Sequence, residues 1–200
     1  MGDFLKNKVL PLLKSFLLSF TWVFIIMFAL DIISKQCIMK SLSVGESVDL
    51  IPGFLRITYV QNFNAAFGIG FGEGETKKLI SRILYIVIAS IASAILIFFY
   101  IKKYKRINPF VKGCLMLILT GALGNLVDRI FYAPDFAVVD FIDFYFLPFW
   151  TFVFNIADCG VVLGALLLMG YIIFTEVKDY RQRSKEESIS FSDKNNDKNQ

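Results

Sequence analysis

The sequence predicts an α-helical integral membrane protein with four transmembrane helices and a small extracytoplasmic sheet, on three observations. Of 200 residues, 56% are apolar and only 19% charged, with a mean hydropathy of +0.61; an ordinary soluble domain is about 45–50% apolar and about 25% charged. Four apolar runs approach the roughly 20 residues that a helix needs to cross hydrocarbon. Lys and Arg crowd alternate ends of those runs, as membrane topology demands and as a nucleic-acid-binding face would not.

The runs are approximately Leu13 to Ile33, Ile83 to Ile101, Val111 to Ile130 and Phe152 to Phe174. The first has the basic start of a secretory signal in Lys6, Lys8 and Lys14, but it ends in Ala29-Leu30-Asp31-Ile32 without a small-residue cleavage pattern, so an uncleaved span is expected. Lys102, Lys103, Lys105, Arg106 and Lys112 fill the link between spans two and three, and Lys178, Arg181, Arg183 and Lys185 follow span four. Both termini and that link are therefore expected in the cytoplasm. Phe131 to Thr151 and the longer segment Gln36 to Arg82 then face outward.

Within the longer outer segment, Ser47 to Val60 reads as two extended runs around the turn dipeptide Pro52-Gly53, the second rich in β-formers. It predicts a small sheet lying on the membrane surface. The division that follows is a cytoplasmic N-terminal segment over 1–12, a four-span domain over 13–176 with its β-rich insertion at about 36–78, and a tail over 177–200. Ser184 to Gln200 is Lys, Asp, Asn and Ser with few apolar residues, and is expected to be disordered.

The chain has no histidine, which excludes Ser-His-Asp triads, Cys-His pairs and imidazole metal sites. Its three cysteines, Cys37, Cys114 and Cys159, are too few for a Cys₄ zinc site and suggest no disulfide framework. No metal and no cofactor is expected. The glycine-rich stretch Gly68 to Gly74 fits neither G-x-G-x-x-G nor a P-loop, and is read as a hinge beside the sheet.

Catalysis must then rest on a short list, headed by ionisable residues inside or at the ends of spans. Asp31 and Lys35 stand one helical turn apart and can pair on one face. Asn125-Leu126-Val127-Asp128-Arg129 ends the third span and Asn155-Ile156-Ala157-Asp158 opens the fourth, each placing Asn and Asp three apart at the same membrane boundary. Asp140 lies between them in an apolar context, Val138-Val139-Asp140-Phe141. Each aspartate alone reads equally well as a helix cap or boundary residue; as a set they do not. Two carboxylates meeting in a partly dehydrated cleft share one proton and so hold a base and an acid at once, which is aspartic-peptidase chemistry.

These residues, with Asp31-Ile32-Ile33-Ser34-Lys35 and Asn62-Phe63-Asn64-Ala65-Ala66-Phe67-Gly68, closely resemble the ordered motifs of the bacterial lipoprotein signal peptidase (signal peptidase II) family over roughly Trp22 to Gly164. The resemblance implies a four-helix membrane aspartic endopeptidase with an outward β-cradle in the bacterial cytoplasmic membrane. The enzyme would cleave prolipoproteins on the amino side of a diacylglyceryl-modified cysteine, with membrane lipid as its other partner and neither nucleic acid nor an obligate protein partner. It also implies Asp140 and Asp158 as the catalytic pair, with Asn62, Asn125, Asp128, Arg129, Asn155, Asp31 and Lys35 as supporting or substrate-binding residues. Asn64 stands where the family usually has Gly, and Cys159 where it usually has Ser or Thr.

Two other readings compete. A Ser/Lys peptidase would use Lys35 as base for Ser34, Ser41 or Ser43. A proton-coupled transporter would relay protons through Asp31, Asp128 and Asp158.

Overall fold

The computed structural model describes residues 10–63, 74–132, 136–146 and 152–197. Helix α1 covers Leu10–Ser19 and α2 covers Thr21–Ser41. Between them Phe20 is left-handed, with φ 58°. The Ser19 hydroxyl accepts from the Thr21 amide at 3.2 Å and so helps start the second helix. The expected first span, Leu13 to Ile33, is therefore split, and the helix long enough to cross the membrane is Thr21–Ser41. Hydropathy placed its end too early because Asp31 and Lys35 are polar; both are buried against other helices, where polarity is tolerated.

The other spans fall close to where expected, except that the fourth starts at Ile156 and not Phe152, because Val153–Phe154 pair as a strand. Helix α3 runs Glu75–Lys103 and α4 runs Pro109–Val127. The start of α4 is set by Asn108, whose side chain accepts from the Phe110 amide, and by Pro109 in the first turn. A π-turn over Asp128–Tyr132 ends it. Helix α5 covers Ile156–Asp197, of which 156–186 are apolar enough to count as a span. It continues through the segment whose composition predicts disorder. Its Lys and Glu residues are good helix formers, and a helix already nucleated in the membrane adds residues at little cost.

The expected hairpin is present as β1 (Ser47–Ile51) and β2 (Leu55–Asn62), turning through Gly53 with φ 74°. It is half of a larger sheet. Strands β3 (Val138–Phe144) and β4 (Val153–Phe154), both in segments that carried no strand expectation, complete an antiparallel sheet in the order β1-β2-β3-β4. A register irregularity between Ile57 and Val60 faces the part of β3 that carries Asp140. The sheet is knitted by Asp143, which accepts from Arg56 at 2.6 Å and from Thr58 at 2.8 Å.

Helix α4 is the hub, packed on α2, α3 and α5. Its close approach to α5 depends on Gly121, where an added Cβ would land on Val161 and the Ala157 carbonyl. At Gly124 an added Cβ would come within 2.6 Å of an Asp31 carboxylate oxygen. Small residues let helices approach closely in a membrane, where no hydrophobic force drives them together. Here they also let α2, α4 and α5 converge on one polar cluster.

Candidate active site

The site lies where the end of α4, the start of α5, the middle of β3 and the end of β2 meet. Its first part is an ion cluster. Lys35 Nζ is 2.7 Å from Asp31 and 2.8 Å from Asp128, and it donates to Asn125 Oδ1 at 3.1 Å. Asp31 is fully buried and Lys35 is 1% exposed. The second Asp31 oxygen accepts from the Ala157 amide at 2.8 Å, and Asp128 accepts from the Val139 amide at 3.3 Å. The cluster thus ties α2 to the ends of both site-bearing helices and to β3.

The second part is built around Asn155. The two Asn-x-x-Asp motifs look alike in sequence but work differently. Asn155 and Asp158 form a reciprocal cap: Asn155 Oδ1 accepts from the Asp158 amide at 2.9 Å, while Asp158 Oδ2 accepts from the Asn155 amide at 3.2 Å. Asn155 Nδ2, freed by that arrangement, donates to Asp140 Oδ1 at 2.6 Å and to Asn125 Oδ1 at 3.1 Å. Asn125, on the last turn of α4, bridges between elements instead. It accepts from Lys35 and Asn155 and donates to Asp158 Oδ1 at 2.7 Å.

Asp140 receives a further hydrogen bond, from Asn62 Nδ2 at 2.8 Å. Its carboxyl is pushed up to about 7, first by burial and then by the nearby charge of Asp158; the Asn62 and Asn155 hydrogen bonds and the more distant Lys35 pull the other way. The hydrogen bonds that hold the two carboxylates thus come from neutral amides, while the lysine beside them is shared by Asp31 and Asp128.

Of the residues selected from sequence, Asp31, Lys35, Asn62, Asn125, Asp128, Asp140, Asn155 and Asp158 are joined in one continuous network. Arg129 stands at its edge, its guanidinium 5.0 Å from the centre of the Tyr85 ring. Asn64 and Gly68 to Glu73 lie outside the described residues; Cys159 is half-buried, one residue after Asp158. The Ser/Lys arrangement is not formed at Ser34, whose hydroxyl donates to the Asp31 carbonyl while Lys35 is taken up by carboxylates. Among the described residues no group of three Cys, Asp or Glu residues is placed to hold a metal ion.

Two contributors were not selected from sequence. One is Arg82, whose Nε donates to the Arg129 carbonyl at 3.1 Å. The other is the backbone amide of Ala157, a partner that no side-chain motif can announce. Beside the site, a cavity of about 340 Å³ is lined by Phe63, Lys78, Arg82, Arg129 and Phe136 among others.

Comparison with known proteins identifies the family. Residues 23–174 match the family described as signal peptidase (SPase) II. A lipoprotein signal peptidase of Fusobacterium nucleatum is 35% identical over 155 residues, 78% of this chain and 86% of that protein. One from Halothermothrix orenii is 40% identical over 150 residues, covering 75% and 92%. A solved structure described as a bacterial membrane enzyme superposes with a TM-score of 0.64 at 30% identity, covering 80% of this chain and 87% of that one. With most of its length matched in sequence and in fold, the chain belongs to the signal peptidase II family of aspartic peptidases.

Proposed function

We propose that this protein removes signal peptides from prolipoproteins at a bacterial membrane, with Asp140 and Asp158 as the acid/base pair. The observation that carries the assignment is the setting of these two carboxylates. Both are bound to Asn155 and held by neutral amides, and Asp140 keeps its proton to about pH 7. One proton is then shared across the pair in its resting form. The ionised carboxylate takes a proton from water as the water oxygen attacks the scissile carbonyl, and the protonated one donates to the carbonyl oxygen. In the second half the C–N bond breaks, the departing amine takes a proton from the pair, and a hydroxyl of the tetrahedral intermediate returns its proton to the pair as the new carboxyl group forms, restoring the singly protonated state. Asn62, Asn125 and Asn155 hold the carboxyl groups still, while Asp31, Lys35 and Asp128 brace the elements that carry them.

The substrate is a diacylglyceryl-modified prolipoprotein, cut on the amino side of the modified cysteine. A site at the end of two spans, with Phe144 and Phe154 stacked 5.9 Å apart on the adjoining sheet, suits a peptide that carries acyl chains. Each buried CH₂ contributes roughly 0.8 kcal/mol. Incubating the purified enzyme with lipidated and unlipidated forms of one precursor tests this directly: only the lipidated form should release its signal peptide at an appreciable rate. Equal rates would remove lipid from the recognition.

The site is assigned to the outer face, with both termini cytoplasmic, on the distribution of Lys and Arg. In a background lacking the native cysteines, a membrane-impermeant thiol reagent should label a cysteine at exposed Asp49 in intact cells, and one at exposed Lys105 only after permeabilisation. The reverse pattern would put the dyad in the cytoplasm.

A further inference from the structure

We infer that Arg82 is a positioning residue for the reaction, aligning the π-turn that bears Asp128 and Arg129 with the strand that bears Asp140. This rests on the aspartic-peptidase reading above. Arg82 is half-buried on the second turn of α3, an element that carries none of the eight residues joined in the polar network. Its guanidinium makes two unlike contacts at once. Nε donates to the Arg129 carbonyl at 3.1 Å, and the planar group lies over the Phe136 ring, 3.4 Å from its centre.

Both partners are places where the backbone departs from regular structure. Arg129 belongs to the π-turn over Asp128–Tyr132, and such turns disturb the regular carbonyl ladder of an α-helix. Phe136 has φ 59°, a left-handed conformation that costs a bulky residue free energy and persists only when its surroundings enforce it. Phe136 precedes Asp140 by four residues, and Arg129 adjoins Asp128, whose carboxylate accepts from the Val139 amide. Arg82 therefore clamps, from outside, two segments that are also joined from inside next to the reacting carboxylate. Tyr85, three residues along the same face of α3, lies against the Arg129 guanidinium and extends the same contact.

A planar fork can bond a carbonyl and stack on a ring together; an ammonium on a flexible stem cannot. The inference thus predicts that geometry, and not charge, is what matters. Arg82→Lys, Arg82→Ala, Phe136→Ala and the double variant Arg82→Ala/Phe136→Ala are compared with wild type on a lipidated precursor, per folded protein, alongside thermal unfolding in detergent. Asp140→Asn serves as the control. Small misplacements of reacting groups cost on the order of 10- to 100-fold, so kcat of Arg82→Ala should fall by about that factor with KM changed by less than about twofold. Arg82→Lys should resemble Arg82→Ala, and the double variant should be little worse than Arg82→Ala alone, because the two side chains act as one clamp.

Wild-type kcat in Arg82→Lys, a loss confined to KM, or fully additive losses in the double variant would overturn the inference. So would a loss that disappears when rates are normalised to folded enzyme. If Arg82→Ala does not fold, Arg82→Lys decides. An active Asp140→Asn would instead sink the peptidase mechanism, and an inactive Asp140→Asn beside wild-type Arg82 variants would sink only the clamp.

Discussion

Two groups of carboxylates stand side by side in this protein and are treated in opposite ways. Asp31 and Asp128 share one ammonium, Lys35, at 2.7 and 2.8 Å. Asp140 and Asp158 receive their hydrogen bonds from Asn62, Asn125 and Asn155, with one backbone amide in addition. A cation held between two carboxylates fixes the positions of both, which suits a brace. Neutral donors hold the oxygens in place without a direct ion pair, which suits a pair that shares one proton, as the proposed mechanism requires. On the proposed mechanism the same residue type is structural in one cluster and reactive in the other, and what separates them is the partner.

The contrast is broken most severely by removing the shared proton. Asp140→Asn or Asp158→Asn keeps the side-chain shape but cannot exchange a proton, so turnover should fall by roughly 10²- to 10⁴-fold. The double variant should be little worse than either single one. Asp128→Asn, on the braced side, should keep measurable turnover. Assay at matched protein levels decides, and robust activity in Asp140→Asn or Asp158→Asn would remove the mechanism.

Lys35→Met tests the brace from the other side. Leaving Asp31 and Asp128 buried without their cation should destabilise the fold by about 3 to 5 kcal/mol, as removal of one partner of a buried ion pair does. Unfolding in detergent would show it. Lys35→Arg keeps the charge and should only weaken activity. A Lys35→Met protein as stable as wild type would show that the cluster is not what holds α2 to the site.

The smallest effect is the dependence on pH. Asp140 is raised, so its proton stays on below about pH 7 and is lost above it. Turnover should therefore decline as pH rises through that value, and decline again in acid once both carboxyl groups are protonated. An activity flat from pH 6 to about pH 9 would contradict a dyad working with one proton.

Much of this was legible in the residues themselves. The four spans follow from apolar run length, the hairpin from Pro52-Gly53 between β-formers, and the aspartates from the cost of placing charge in apolar surroundings. The two Asn-x-x-Asp motifs at matching depth pointed to one site. Local pattern does not reveal Phe20, whose left-handed turn divides an apolar run that looks continuous, or β3, an apolar stretch between two spans that reads as a connecting loop. The helical course of residues 184–197 was also missed, because composition reports solubility and does not report whether a helix already begun upstream goes on.

By itself the sequence determined which residues were available for chemistry. With no histidine and few charges inside or at the ends of the apolar runs, local pattern narrowed the choice to a handful of aspartates, since span length, turn chemistry and hydropathy are properties of neighbouring residues. Only the tertiary structure decided their roles. Asn62 reaches Asp140 across 78 positions, Lys35 reaches Asn125 across 90, and Asp31 meets the Ala157 amide across 126. Whether a buried carboxylate meets an ammonium or an amide is settled by such long-range approach, and no local pattern encodes it. In this chain that approach is made possible by Gly121 and Gly124, where any side chain would hold the helices apart.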